Sequence, residues 1–136
     1  MAGINVKWMG GGMFLATDEA GHVLLTDPYG LSFKPPDLFL TSLVGCTGMT
    51  MVQILEKAQQ KVSAIDVKVN QQNAPNPPWA IEKIEVEWTV RGRELKEKAV
   101  RDAVHLAEQG YCSVAASLKC ALVTTVRVVN EDGGDG

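Results

Sequence analysis

A long stretch without charge, residues 38–55, constrains the fold of this chain more than any other feature. Its length approaches that of a membrane-spanning helix. Hydroxyl and amide side chains and two glycines make it too polar for lipid, so we interpret it as a helix buried by protein on nearly all sides. Pro35 and Pro36 suit the first turn of a helix, where an amide hydrogen would have no partner. The sequence therefore predicts a helix from near Pro35 to about Gln60.

This helix also predicts an oligomer. A helix with so little charge needs cover on every face, and one small sheet of the same chain can cover only one side. A second copy of the chain would cover the rest, and two-fold symmetric pairs are the commonest oligomers of soluble proteins. We therefore expect an intimate homodimer. We expect no association with a membrane.

The remaining segments alternate between strand and helix patterns. A second, amphipathic helix is predicted over residues 94–109, and a short helical piece follows Cys112. Strands are predicted over residues 4–9, 13–17, 22–26, 64–71, 84–90 and 122–129. The order β-β-β-α-β-β-α-β groups strands before each helix, which favours an α+β fold with antiparallel sheets over a doubly wound one.

Length and composition indicate a soluble protein with one domain over residues 1–129 and an acidic, glycine-rich tail over 130–136 that we expect to be disordered. The net charge is −3, from 13 basic and 16 acidic residues without a basic cluster, so we expect no nucleic-acid partner. Three cysteines are too few for a disulfide scaffold. Residues 1–6 lack the charged and apolar blocks of a signal peptide, so we expect the cytoplasm.

Two cysteines lie in local sequences that favour chemistry over packing. Small residues surround both Cys46 and Cys112 and leave room for a second sulfur or a substrate. The leading hypothesis is a dithiol site, and the alternative for each is a buried structural cysteine. No Lys, Arg or His lies within ten residues of Cys46, so any activating charge must come from elsewhere in the fold or from a partner chain. Cys120, beside Lys119, is expected to be a core residue.

Other kinds of site have weak support in the sequence. His22, His105 and Cys112 do not have the spacing of zinc ligands, so we expect no metal and no cofactor. Thr41 and Ser42 have no nearby histidine, which argues against a serine triad. The glycines at positions 10–12 precede a strand and not a helix, so they indicate a turn and not a phosphate-binding loop.

Residues 35–46 (PPDLFLTSLVGC) and 111–118 (YCSVAASL) resemble the two cysteine motifs of the OsmC/Ohr family. The second motif is closer to the uncharacterised OsmC-like branch than to the well-studied organic hydroperoxide resistance proteins. The resemblance implies an intertwined homodimer, with two central helices wrapped by sheets and an active site at the dimer interface. It matches Cys46 to the peroxidatic cysteine and Cys112 to the resolving one. The implied substrates are organic hydroperoxides, with dithiols such as lipoyl groups as reductants.

The sequence departs from the family's peroxidases at two activating positions. Pro36, followed by Asp37, stands where they carry a glutamate, and no arginine precedes Arg91. Lys7 or Lys34 could take the arginine's place. The expected function is thiol-dependent reduction of organic hydroperoxides in oxidative stress defence. The alternatives are a non-catalytic protein that binds an apolar small molecule at the dimer interface, and a redox-sensing dithiol.

Overall fold

The computed structural model describes residues 3–131, which form two compact units that meet in sequence between Thr41 and Ser42. The first unit is an antiparallel sheet of order β1-β2-β3. Its strands are β1 (Ile4–Gly10), β2 (Met13–Asp18) and β3 (Val23–Thr26). All three lie where the sequence predicts them.

Turns and a buried aspartate shape this first unit. Gly10 and Gly11 adopt positive φ angles of 102° and 56°, which explains why glycines join β1 to β2. After β3, the buried carboxylate of Asp27 accepts hydrogen bonds from the backbone N–H groups of Tyr29 and Leu31, each at 3.0 Å. These bonds fix the loop that leads into the long helix.

The uncharged run forms helix α1 (Pro35–Lys57), which begins at the predicted proline. Every fourth side chain along part of it is buried: Leu43, Thr47, Met51 and Leu55. Only this stripe is fully buried in the single chain, and the sequence analysis expects a second chain to cover the other faces. Met49, between two members of the stripe, is 63% exposed, and 22% of the most apolar 18-residue window is buried. The single chain therefore covers one face of α1, as the sequence analysis expects of one small sheet, and cover of the other faces by a second chain stays a prediction.

Helix α1 is also the one helix among the described residues that is long and apolar enough to cross a membrane, with a mean hydropathy of 1.7. Length and composition alone do not separate a membrane span from the core helix of a soluble protein.

The second unit is built on a sheet of order β4-β5-β6. Its strands are β4 (Lys61–Asn73), β5 (Ile81–Arg93) and β6 (Ala121–Asn130). β4 pairs with β5 antiparallel, but β6 pairs with β5 parallel. The α+β fold class is confirmed, with the correction that this sheet is mixed and not wholly antiparallel. The reason is the long helical connection between β5 and β6, since parallel neighbours need a crossover of this kind.

The crossover contains helix α2 (Glu97–Leu106), a π-helical turn (Ala107–Tyr111) and helix α3 (Ser113–Ala116). The predicted helix over residues 94–109 is therefore shorter, because Glu94 has a positive φ of 52° and the C-terminal end widens into the π-helical turn. The core of this unit combines alternate side chains of β5 with one face of α2. It consists mainly of Ile84, Val86, Trp88, Val90, Val100, Ala103 and Val104.

Hydrogen bonds hold the last two described residues. Asn130 closes β6, and its side chain pairs with both backbone groups of Leu95. Glu131 donates its N–H to the carbonyl of Gly92 at 2.7 Å. The rest of the predicted tail, residues 132–136, lies outside the described residues. The boundary of a single domain at residue 129 stays a prediction.

Candidate functional site

Cys46 and Cys112 come together in the second unit. The Sγ atom of Cys112 lies 3.9 Å from the backbone carbonyl oxygen of Leu43, to which it donates. Leu43 and Cys46 are three residues apart on α1, so they share a face of the helix. Cys112 therefore lies beside the turn of α1 that carries Cys46. Cys112 is 2% exposed and Cys46 is half-buried, and both are free thiols.

The segment before and after Cys112 holds its sulfur in place. The π-helical turn ends at Tyr111, and Cys112 adopts an extended conformation with φ −91° and ψ 105°. That conformation makes Cys112 the N-cap of α3, and its sulfur accepts a hydrogen bond from the N–H of Ala115 at 3.3 Å. Two hydrogen bonds therefore hold the Cys112 sulfur, one donated to Leu43 and one accepted from Ala115.

The surroundings lower the pKa of Cys46 below its ordinary value. The largest cause is the hydrogen bond from the Cys112 thiol, followed by the bond from the backbone N–H of Val114. Burial acts in the opposite direction, and the hydroxyl and N–H of Ser113 add smaller contributions that lower the pKa. Donors that point at a sulfur stabilise its thiolate, so this arrangement favours the nucleophilic form of Cys46.

Comparison with known protein families identifies the family of this chain. The OsmC-like protein family matches residues 28–127, which is most of the chain. The chain belongs to the OsmC-like family. Protein YhfA of Escherichia coli strain K12 is 34% identical to this OsmC-like chain over 123 residues, covering 89% of the chain and 92% of YhfA.

Solved structures agree with this assignment. The crystal structure of a hypothetical protein from Aquifex aeolicus superimposes with a TM-score of 0.88 at 26% identity, covering 97% of this chain and 98% of that one. The organic hydroperoxide resistance protein OhrB of Bacillus subtilis gives a TM-score of 0.62 at 15% identity, covering 94% and 97% of the two chains. At that identity the likeness to OhrB shows a shared fold.

Ser113 and Val114 are the site residues that sequence reasoning missed. The sequence analysis sought a charged group for Cys46, but the causes that lower its pKa are hydrogen-bond donors from the segment after Cys112. A signal was present, because a short helical piece after Cys112 leaves its first N–H groups without partners inside the helix. What the sequence could not supply was the direction in which those groups point.

The sequence analysis also considered Cys120, His105 and His22 as possible site residues. Cys120 is half-buried just before β6. His105 is exposed on α2. In the first unit His22 Nδ1 contacts Asp18 Oδ2 at 2.8 Å, and this bond is the largest cause that lowers the pKa of Asp18. Among residues 3–131, no group of three or more His, Cys, Asp or Glu side chains is arranged to hold a metal ion.

The site is backed by a tightly packed layer. A narrow space between α1 and the sheet is lined by Leu43, Val44, Thr47, Val86, Trp88, Glu108 and Leu122. Glu108 accepts hydrogen bonds at both carboxylate oxygens, from the Thr124 hydroxyl and from the Gln109 amide. The indole N–H of Trp88 is buried and has no partner among the described residues. This layer leaves α1 little freedom to move toward the sheet.

Proposed function

We propose that this OsmC-like protein reduces organic hydroperoxides, with Cys46 as the peroxidatic residue and Cys112 as the resolving one. The observation that supports this most directly is the position of the Cys112 sulfur, 3.9 Å from the carbonyl oxygen of Leu43 and so beside the turn of α1 that carries Cys46, whose pKa is lowered first by the Cys112 thiol. A thiolate is the reactive form of cysteine, and a neighbouring thiol is the partner that an oxidised sulfur needs.

The reaction proceeds in three steps. The Cys46 thiolate attacks the O–O bond, forms a sulfenic acid and releases the alcohol of the hydroperoxide. The Cys112 sulfur attacks the sulfenic sulfur, and water leaves as the disulfide forms. A dithiol such as a reduced lipoyl group then exchanges with the disulfide, which returns both cysteines to thiols and leaves the reductant oxidised.

Apolar side chains near Cys46 bear on the choice of hydroperoxide. Met49, one turn after Cys46 on α1, is exposed in the single chain and would shelter an alkyl group at the proposed dimer interface. Leu43 and Met51 are buried at 2% and 0% exposure, so they pack against protein and are not available to a substrate. An exposed methionine beside the nucleophile favours an organic hydroperoxide over hydrogen peroxide.

A homodimer in the cytoplasm is part of the same proposal. The uncovered side of α1 supports a second copy of the chain as its cover, with Cys46 near the interface. An organic hydroperoxide and a dithiol such as a lipoyl group are the proposed small-molecule partners.

Peroxide consumption by cysteine variants tests the proposal. The wild type, Cys46→Ser, Cys112→Ser and Cys120→Ser are mixed with tert-butyl hydroperoxide and dihydrolipoamide, and loss of hydroperoxide is followed. Cys46→Ser should abolish the reaction and Cys120→Ser should leave it unchanged. Cys112→Ser should allow one turnover and trap a sulfenic acid on Cys46. Equal rates for wild type and Cys46→Ser would refute the proposal and leave the binding protein as the better explanation.

A further inference from the structure

An open cavity of about 340 Å³ lies at the C-terminal end of α1, where it is lined by residues 58–61 and by Arg93, Glu94 and Lys96. The last residue of α1, Lys57, is separated from Cys46 by roughly 17 Å along the helix axis. We propose that this cavity is a second site, which binds a small molecule through a phosphate group. The proposal is independent of the chemistry of the cysteines.

Three cationic side chains line the cavity, against one carboxylate. Lys61, Arg93 and Lys96 carry formal positive charges and Glu94 a negative one, which gives the lining a formal net charge of +2 in a chain whose net charge is −3. The sequence has no run of basic residues here, because the fold brings the start of β4 next to the end of β5. The cavity therefore favours an anion.

The pairing of β4 with β5 sets two of these charges directly opposite each other. Lys61 is the partner of Arg93 in the register of the two strands. Like charges at such positions destabilise a sheet. Glu94 lies 3.5 Å from Lys61, but both side chains are mostly exposed, and exposed ion pairs contribute little. Arg93 and Lys96 have no ion-pair partner among residues 3–131. An anion bound between these side chains would offset the repulsion.

The backbone around the cavity is held in place by the protein itself. Gln59 and Glu94 both line it with positive φ angles of 58° and 52°, which glycine would adopt without strain. Residues held in this way are frequent at ligand-binding positions. Gln60 joins the two turns: its Oε1 accepts from the N–H of Lys96 at 2.9 Å, and its Nε2 donates to the carbonyl of Ala58 at 3.3 Å. A preformed site of this kind lowers the entropic cost of binding.

The charge and size of the cavity indicate the class of ligand. A phosphate monoester carries a charge of about −1.5 to −2 at pH 7, which matches the lining. The guanidinium of Arg93 can donate two parallel hydrogen bonds to phosphate oxygens, and the lysines supply point charges. Small-molecule sites span about 300–1,000 Å³, so the cavity has room for more than the phosphate group. The cationic side chains are exposed, so binding should weaken as salt is added.

Titration of the 15N-labelled full chain with inorganic phosphate at low ionic strength tests the proposal. Amide chemical shifts should change in a saturable way, and the changes should concentrate at residues 58–61 and 93–96. Arg93→Gln should weaken phosphate binding by roughly 10-fold or more, because hydrogen bonds to a charged group are lost. Arg127→Gln is the matched control, since it removes the same charge from an exposed position on β6 and should leave the affinity unchanged.

Two further ligands at the same ionic strength define the chemical class. Glycerol 3-phosphate should bind at least as tightly as inorganic phosphate. Succinate, which has two negative charges but no phosphate group, should bind more weakly. Succinate binding as tight as that of phosphate would overturn the assignment of a phosphate site.

Two other outcomes would overturn the proposal as a whole. Shift changes spread evenly over the surface would mean that phosphate only screens the charges of the protein. Equal weakening in Arg93→Gln and Arg127→Gln would mean that total charge and not the cavity determines binding. The readouts do not involve Cys46, so failure of the proposed peroxide reduction would leave this result unaffected, and the reverse also holds.

Discussion

The contacts that lower the pKa of Cys46 all come from neutral groups: a thiol, two backbone N–H groups and a hydroxyl. A cation acts on a thiolate over several ångströms and is screened by salt, whereas a hydrogen bond acts only at contact and in a defined direction. At the scale of single residues, the orientation of the segment after Cys112 therefore determines how much thiolate forms. The reactivity of Cys46 should depend little on ionic strength.

Ser113→Ala should raise the pKa of Cys46 toward its ordinary value, because the variant removes the hydroxyl that donates to the sulfur. Less thiolate is then present near neutral pH, so alkylation of Cys46 by iodoacetamide should slow at pH 7 and recover at high pH. The rate is followed against pH by mass spectrometry.

Ser117→Ala is the matched control for this variant, because the Ser117 hydroxyl donates to the carbonyl of Ser113 at 2.8 Å and not to a sulfur. Ser117→Ala should leave the dependence of the Cys46 alkylation rate on pH unchanged. A shift of the same size in both variants would show that the effect comes from the stability of α3 and not from the hydroxyl of Ser113.

Mild oxidation should join Cys46 to Cys112 and leave Cys120 as a thiol. The Cys112 sulfur lies 3.9 Å from the carbonyl oxygen of Leu43, three residues before Cys46 on α1, so Cys112 is the cysteine beside the turn that carries Cys46. Peptide mapping after treatment with one equivalent of oxidant measures the pairing. Cys120 in the main disulfide would contradict the assignment of the site.

At the scale of secondary structure, local pattern predicted which elements exist better than how they pair. The alternation of Ile84, Val86, Trp88 and Val90 identified β5, and the prolines identified the start of α1. The parallel pairing of β6 with β5 was not predicted, because alternation along a strand carries no information about the direction of its neighbour. The contact between Cys46 and Cys112 was proposed from their small neighbours and from family resemblance, but its geometry required the fold.

Asn130 is the first residue of the stretch that composition assigned to the tail, and it is also the last residue of β6. Its side-chain oxygen accepts from the N–H of Leu95 at 2.6 Å, and its amide donates to the Leu95 carbonyl at 3.1 Å. The pair joins the end of β6 to the turn before α2. A glycine-rich, acidic stretch predicts disorder on average, but a single amide that satisfies two backbone groups can extend order into it.

Asn130→Ala should lower the free energy of unfolding by about 1–3 kcal/mol, because two hydrogen bonds are lost and the backbone groups of the buried Leu95 lose their partners. Asn130→Asp is the informative companion, since it keeps an acceptor for the Leu95 N–H but has no donor for the carbonyl. Urea denaturation measures both variants, and we expect Asn130→Asp to be destabilised as well. Wild-type stability for Asn130→Ala would mean that the pair contributes nothing.

At the scale of the whole molecule, the single chain leaves apolar surface uncovered in each unit. On β1, the alternating side chains of Ile4, Val6 and Trp8 are between 55% and 65% exposed. On α1, Met49 is exposed in a helix that has no charged side chain between Asp37 and Glu56. Monomeric soluble proteins seldom leave large contiguous apolar patches open, and a second copy of the chain is the cover that the sequence analysis predicts.

Light scattering at micromolar concentration should therefore give roughly twice the chain mass of 14.7 kDa, as expected for a two-fold pair. Met49→Glu should shift the protein toward the mass of one chain, because a charge buried in an interface without a partner costs several kcal/mol. Lys98→Glu is the matched control: it adds the same residue on the exposed face of α2, where Lys98 pairs with Asp102, and should leave the mass unchanged. A wild type that is folded and monomeric at this concentration would show that the uncovered side of α1 has another role.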